Sequence, residues 1–265
     1  MSYLRCISSL GFPEATLDEL LALALRHRLD AVELRALETT VDLPQLFTHQ
    51  HGTPAALAAK LRHAALPVWA LGTSLRLLDG AEADFEKMLA WVPWAEALGV
   101  RWLRVFDGGK TGDAAELAHG AALAQRWQAL RRQHGWQVDW MVETHDALVT
   151  TPALQRFLTA VPDAWILWDT HHTWKKGGED PVATWRVLRE RIVHVHVKDS
   201  ISQPSARHPF TYVLPGTGEF PMAPLVAVLQ AEHRGAVSLE WEKMWHPYLP
   251  PLDDALRVAA AKNWW

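Results

Sequence analysis

The sequence predicts an α/β fold, a single-domain (β/α)8 TIM barrel occupying residues 1–265. Three observations point there. The 265 residues suit the roughly 250 that one such barrel uses. Short apolar, β-branched or aromatic runs alternate along the whole chain with longer segments of helical period, eight units in all. Carboxylates and imidazoles gather at the ends of the last four runs, where a barrel keeps its chemistry. A doubly wound open sheet shares the alternation. Either arrangement pairs its strands in parallel through right-handed crossovers.

The strands read as residues 3–7, 31–35, 68–71, 100–106, 138–143, 165–169, 192–197 and 236–241. After the first, Thr16 and Glu19 form a capping box for a helix over 16–27, with Leu17, Leu20, Leu21 and Leu25 on its apolar face. Pro54 opens a helix over 53–65 in its first turn. The segment 82–98 contains Pro93, which removes a backbone donor and predicts a kink or a split, and it ends at Gly99. A long helix over 113–134 ends at Gly135, and shorter ones cover 152–159, 181–191, 223–230 and 252–261. Residues 199–221, rich in Ser, Pro and Gly, predict a long irregular loop, a length usually tied to function or disorder.

Composition narrows the class. A net charge of −4 argues against nucleic acid or an anionic membrane surface as partner, since both demand a concentrated positive field. No apolar run approaches the roughly 20 residues of a membrane-spanning helix. Only Cys6 is present, so no intramolecular disulfide is available and a reducing compartment is expected. The amino terminus lacks the apolar stretch and small-residue cleavage site of a secretory signal, and a cytoplasmic protein is the expectation. The exposed helices of such a barrel offer a face for a homodimer.

Parity sorts the charged residues, because side chains along a barrel strand alternate between interior and helix layer. Met141, Glu143 and His145 share a face against Trp140 and Val142. Leu167 and Asp169 oppose Ile166 and Trp168; His194, His196 and Lys198 oppose Val193, Val195 and Val197; Ser238, Glu240 and Glu242 oppose Val237, Leu239 and Trp241. In each case the apolar set suits the helices and the polar set points inward. Asp169 follows Glu143 by 26 residues and His196 follows Asp169 by 27, each about one strand–helix unit. Glu240 follows His196 by 44, the excess matching the irregular loop.

Carboxylates buried together repel one another and lose hydration, and a divalent cation resolves both problems. Three carboxylates and one imidazole make a hard, oxygen-rich set that favours Mn²⁺, Mg²⁺ or Co²⁺, with Zn²⁺ or Fe compatible. The bland reading is a set of buried ion pairs with Arg35, Arg104 and Lys198. Glu33 and Arg35 share parity and read equally as an interior ion pair or as substrate contacts. His194, one layer deeper, reads as a hydrogen-bonded core histidine, while His171 and His145 divide between substrate contact and orienting support. Of the 15 tryptophans, most suit strand-to-helix packing, but Trp174 and Trp245, just past strand ends, are candidates for an apolar wall over a sugar ring. Asp107-Gly-Gly-Lys110-Thr111 is not a phosphate loop, because Arg104 stands where the first glycine belongs. Gly216-Thr-Gly218 follows no strand and lacks the third glycine of a dinucleotide fingerprint.

Val-Glu143-Thr-His, Asp169-Thr-His-His172, His194-Val-His196-Val-Lys198-Asp199 and Leu-Glu240-Trp-Glu, in order at barrel spacing, resemble the metal-site motifs of the xylose-isomerase-like barrels, in particular the sugar phosphate isomerase/epimerase family. Gly11-Phe-Pro, Ala31-Val-Glu-Leu-Arg and Pro215-Gly-Thr-Gly-Glu-Phe extend the resemblance over nearly the whole chain. It implies one divalent metal held by Glu143, Asp169, His196 and Glu240, with Glu143 and Glu240 also moving protons as catalytic acid and base. It implies that His172 touches substrate or a second metal and that Lys198 orients substrate oxygens. The implied activity is isomerisation or epimerisation of a sugar, sugar phosphate or polyol through an enediolate. A dehydratase of a keto-polyol or acid, an abasic-site endonuclease-like hydrolase and a non-catalytic sugar-binding barrel are the rivals. Ser202 stands where free-ketose 3-epimerases carry an arginine, and Arg207-His208-Pro209 lacks the Asp-x-His pair of the endonucleases.

Overall fold

A computed structural model describes residues 3–62, 64 and 66–265. The strands are β1 (Leu4–Ser8), β2 (Ala31–Leu34), β3 (Val68–Arg76), β4 (Trp102–Phe106), β5 (Asp139–Glu143), β6 (Trp165–Asp169), β7 (Ile192–Val197), β8 (Asp199–Ile201), β9 (Thr211–Val213) and β10 (Ala236–Leu239). The helices are α1 (Leu17–Arg26), α2 (Leu43–His51), α3 (Pro54–Leu61), α4 (Glu82–Leu89), α5 (Val92–Leu98), α6 (Ala114–His134), α7 (Thr151–Ala160), α8 (Thr170–Lys175), α9 (Pro181–Leu188), α10 (Met222–Glu232) and α11 (Leu252–Ala261). Strands β1 to β7 and β10 form a closed parallel barrel, β10 pairing with both β1 and β7. The open-sheet alternative is thereby excluded.

Local chemistry accounts for the elements. Thr16 caps α1 through Glu19 in the expected capping box, Asp113 caps α6, and Gly135 closes it in the left-handed conformation. Pro93 splits its segment: residues 82–98 form two helices, α4 and α5, with the proline in the first turn of α5. The helix expected over 53–65 is described as Pro54–Leu61; positions 63 and 65 lie outside the described residues. Helices α2 and α8 go beyond the eight-unit pattern. Each is short, and α8 begins directly at the last residue of β6, with Asp169 as its cap. The loop expected over 199–221 instead contains the antiparallel hairpin β8–β9. Asp199 organises it by accepting backbone N–H bonds from Ser200, Gly216, Gly218 and Phe220. A Cβ on Gly218 would fall 2.3 Å from Asp199 Oδ1, which is the reason for a glycine there.

The interior grades from apolar to charged. Cys6, Ala31, Ala70, Met141, Leu167 and Ala236 fill the levels toward the strand N-termini. One register step further along, Ser8 lies beside Glu33, Asp169 beside His196, and His196 beside Ser238. Outside, Trp140, Val142, Trp168, Val195, Leu239 and Trp241 join the core beneath the helices, as parity requires. Among the described residues no helix is long and apolar enough to cross a membrane.

Candidate metal centre

Barrel closure brings Glu143, Asp169, His196 and Glu240 together: one ligand atom from each lies within 4.8 Å of all the others, and all four residues are buried. Asp169 contributes one oxygen to the His172 amide at the start of α8 (2.9 Å), which leaves Oδ2 for the centre. Glu240 follows β10 directly, its amide bonded to Val197 O at 3.1 Å.

The orientation of His196 decides what the cluster can hold. Its Nε2 lies 3.0 Å from Glu33 Oε2, and that carboxylate also meets His194 Nε2 at 2.9 Å and Ser238 Oγ at 3.1 Å. With Nε2 donating to Glu33, the buried Nδ1 is left without a hydrogen-bond partner and faces Glu240 Oε1 at 3.3 Å and Glu143 Oε1 at 3.7 Å. Burial opposes a charge on this ring, but Glu240 and Glu33 overcome it and hold its pKa well above the ordinary imidazole range. A pocket negative enough to keep a proton on Nδ1 is equally suited to a cation in its place. Lys198 Nζ lies 2.8 Å from Asp169 Oδ2, and Arg104 Nε lies 3.2 Å from Glu143 Oε2, both at angles that leave those oxygens without a hydrogen bond. The donor set therefore fits a divalent ion.

Parity alone offers Glu33 as a partner to Arg35 or to substrate; the structure places it against His196, His194 and Ser238. It orients His196, the role a carboxylate commonly plays behind a ligating histidine. The available signal is the inward parity of Glu33 and His196, but nothing local in sequence pairs them. Glu33→Ala is expected to weaken binding of the metal about 10- to 100-fold, read by titration with Mn²⁺; unchanged affinity would refute the orienting role. His194 bonds Ser238 Oγ at 2.8 Å and is the core histidine that its deeper level predicts.

Beside the cluster, a cavity of about 130 Å³ is lined by Arg35, Arg104, Phe106, Glu143, His145, His172, Glu240, Glu242 and Trp245, with Leu10. His172 Nδ1 lies 3.0 Å from the Thr144 carbonyl, so Nδ1 carries the proton and Nε2 is the acceptor. His145 Nδ1 lies 2.9 Å from Asp146; burial opposes its charge, yet this bond and Glu143 hold its pKa above the usual value. Asp107 fixes the loop that carries His145 by accepting the amides of Asp146 and Leu148.

Lys198 and Trp174, both expected to touch substrate, are not among the residues lining this cavity. The Lys198 ammonium sits among Asp169, Glu240 and Glu242 rather than on the cavity wall. Burial works against its charge, but those carboxylates outweigh it and push the pKa well above the ordinary lysine value. Trp174, on α8, has its ring against Phe220 with centroids 5.4 Å apart and under Lys175. Trp245 does reach the rim. His171 bonds Ser200 Oγ at 2.8 Å and supports the β8–β9 hairpin.

Comparison with solved structures finds the same fold in proteins of low identity. The probable 3-DHS dehydratase AsbF involved in petrobactin synthesis from Bacillus anthracis has 19% identity and a TM-score of 0.77, over 98% of this chain and 99% of that one. The IolI protein with a bound zinc atom has 15% identity and a TM-score of 0.74, over 98% and 96%. The 3-keto-D-glucoside 4-epimerase YcjR from E. coli has 13% identity and a TM-score of 0.68, over 98% and 99%. No curated protein matches the sequence significantly. Residues 21–263 match the family described as xylose isomerase-like TIM barrel. With the closed eight-stranded barrel and its ordered strand-end motifs, that match makes the chain a member of the xylose isomerase-like TIM barrel family.

Proposed function

We propose that the chain is a divalent-metal-dependent isomerase or epimerase of a small sugar-like substrate. The observation that carries this reading is the convergence of Glu143, Asp169, His196 and Glu240 beside a cavity lined by charged side chains, with His196 Nδ1 buried and unpartnered. Those four residues would hold the ion, and Glu33 and Ser238 would steady the histidine. Bound there, a divalent cation supplies Lewis acidity that polarises a carbonyl and acidifies the neighbouring carbon.

The remaining chemistry belongs to the chain. Glu143 and Glu240 come from strands separated by β6 and β7 and both border the cavity. One takes a proton from carbon and the other returns it; return to the opposite face of the same carbon epimerises, and return to the adjacent carbon, with the hydroxyl proton passing from one oxygen to its neighbour, isomerises. Burial works against ionisation of Glu240, yet His196 and Lys198 hold its pKa well below the usual carboxylate range. Trp245 offers an apolar surface at the rim. The family, the zinc in one structural neighbour and the epimerase and dehydratase among the others support this reading.

The second reading is a dehydratase of a keto-polyol or acid. It is favoured by His145, which borders the same cavity as the two glutamates, has its pKa held above the usual value, and is available to protonate a departing hydroxyl. Turnover of a sugar panel in D₂O by Mn²⁺-loaded protein distinguishes these chemistries. Deuterium entering substrate carbon with mass otherwise conserved is the expected result. Loss of water establishes the dehydratase, and complete retention of the substrate hydrogen refutes proton transfer by the glutamates.

A further inference from the structure

Arg35 and Arg104 meet at the cavity wall, where one carboxylate, Glu143, lies within ion-pair distance of Arg104 and none among the described residues lies within that distance of Arg35. Arg35 ends the β2 region, its amide bonded to Ser9 Oγ at 2.7 Å. Its guanidinium donates to Gly72 O at 3.3 Å and Ser74 Oγ at 3.0 Å. Arg104, on β4, donates to Thr73 O at 3.0 Å, faces Glu143, and lies 3.8 Å over the ring of Phe106. The two residues are only 6% and 4% exposed. Gly72 lets them approach, since a Cβ there would fall 2.8 Å from Arg35 Cδ and 3.2 Å from Arg104 Nη2.

No carboxylate among the described residues lies within ion-pair distance of Arg35, and only two of a guanidinium's five N–H donors are used. Burial, and then the charge of Arg104, push its pKa down to about 9. A cation held by Glu143 and Glu240 would draw on the carboxylates that otherwise offset both arginines. A buried, unpaired charge of this kind is strongly unfavourable unless a ligand supplies its partner.

We propose that Arg35, assisted by Arg104, forms a subsite for a substrate carboxylate, so that the substrate is a sugar acid or a related keto or hydroxy acid rather than a neutral sugar. The inference rests on the metal-dependent reading of the same cavity. The planar guanidinium of Arg35, with donors still free, matches the two coplanar oxygens of a carboxylate.

Calorimetric titration with gluconate, glucitol and glucitol 6-phosphate, matched in carbon number, tests the proposal on metal-loaded and chelator-treated protein. Wild type is expected to bind gluconate about 10- to 100-fold more tightly than glucitol. Arg35→Met should abolish that preference, with glucitol affinity and metal content retained. Ser74→Ala, which removes the hydroxyl holding the guanidinium, should weaken gluconate binding alone and covers the case in which Arg35→Met does not fold. Equal affinity for acid and polyol, including no measurable affinity for either, overturns the proposal, as does a preference that survives both variants. Tighter binding of glucitol 6-phosphate than of gluconate overturns the choice of carboxylate in favour of phosphate. Failure of the wild type to take up metal refutes the metal-dependent reading instead, while an acid preference on the chelator-treated protein still reports on Arg35.

Discussion

Glu143→Gln and Glu240→Gln are each expected to lower kcat by about 10²- to 10⁴-fold, the range that a positioned acid or base contributes. The amide keeps an oxygen and the shape of the side chain but removes the basicity that proton transfer needs. Both positions are almost fully buried, and because the amide is isosteric with the carboxylate neither variant opens a cavity. The two substitutions should differ in their neighbours. Glu143→Gln leaves Arg104 without the carboxylate 3.2 Å from its Nε, whereas Glu240→Gln removes one of three acidic groups around Lys198. Glu143→Gln is therefore expected to be the less stable of the two. Measured kcat within a factor of a few of wild type, at matched metal content, would remove both residues from the chemistry.

Stripping the metal is expected to lower the melting temperature by about 5–10 °C. A ligand that binds only the folded state at about 100 times its dissociation constant stabilises it by about 2.7 kcal/mol. For a chain near this size each kcal/mol moves the midpoint by about 2–4 °C. The sign follows from the centre itself. Without a cation, three buried carboxylates rely on Lys198, Arg104 and a charged His196, and the oxygens facing Lys198 and Arg104 are poorly bonded. Melting with chelator and with excess Mn²⁺, Mg²⁺, Co²⁺ or Zn²⁺ measures the effect and ranks the ions. Identical curves with chelator and with every cation would sink the metal centre, and the proposed function with it.

The strands of the barrel and the four converging side chains are legible in the sequence because both depend on local pattern. An alternation of period two decides which side chains face inward, and the spacing of whole strand–helix units decides which of them stand at one level. That is why Glu143, Asp169, His196 and Glu240 group together from parity and spacing, and why Pro93 reads as a break between helices. The hairpin β8–β9 is less legible because Asp199 organises it through amides up to 21 residues away, a pattern that looks locally like a Ser-, Pro- and Gly-rich loop. Helix α8 is hidden because its cap, Asp169, is at the same time the carboxylate that ends β6.

By itself, then, the sequence determined the repeating architecture, the inward parity and the chemical character of the strand ends, all of which follow from backbone periodicity acting over a few residues. Only the tertiary structure decided that Glu33 serves His196, 163 residues away, that Lys198 sits among carboxylates while Trp174 packs on Phe220, and that Arg35 stands beside Arg104 without a carboxylate of its own. These are contacts between side chains on strands brought together by closure of the barrel. Their energies depend on distance and burial in three dimensions, which no local pattern encodes.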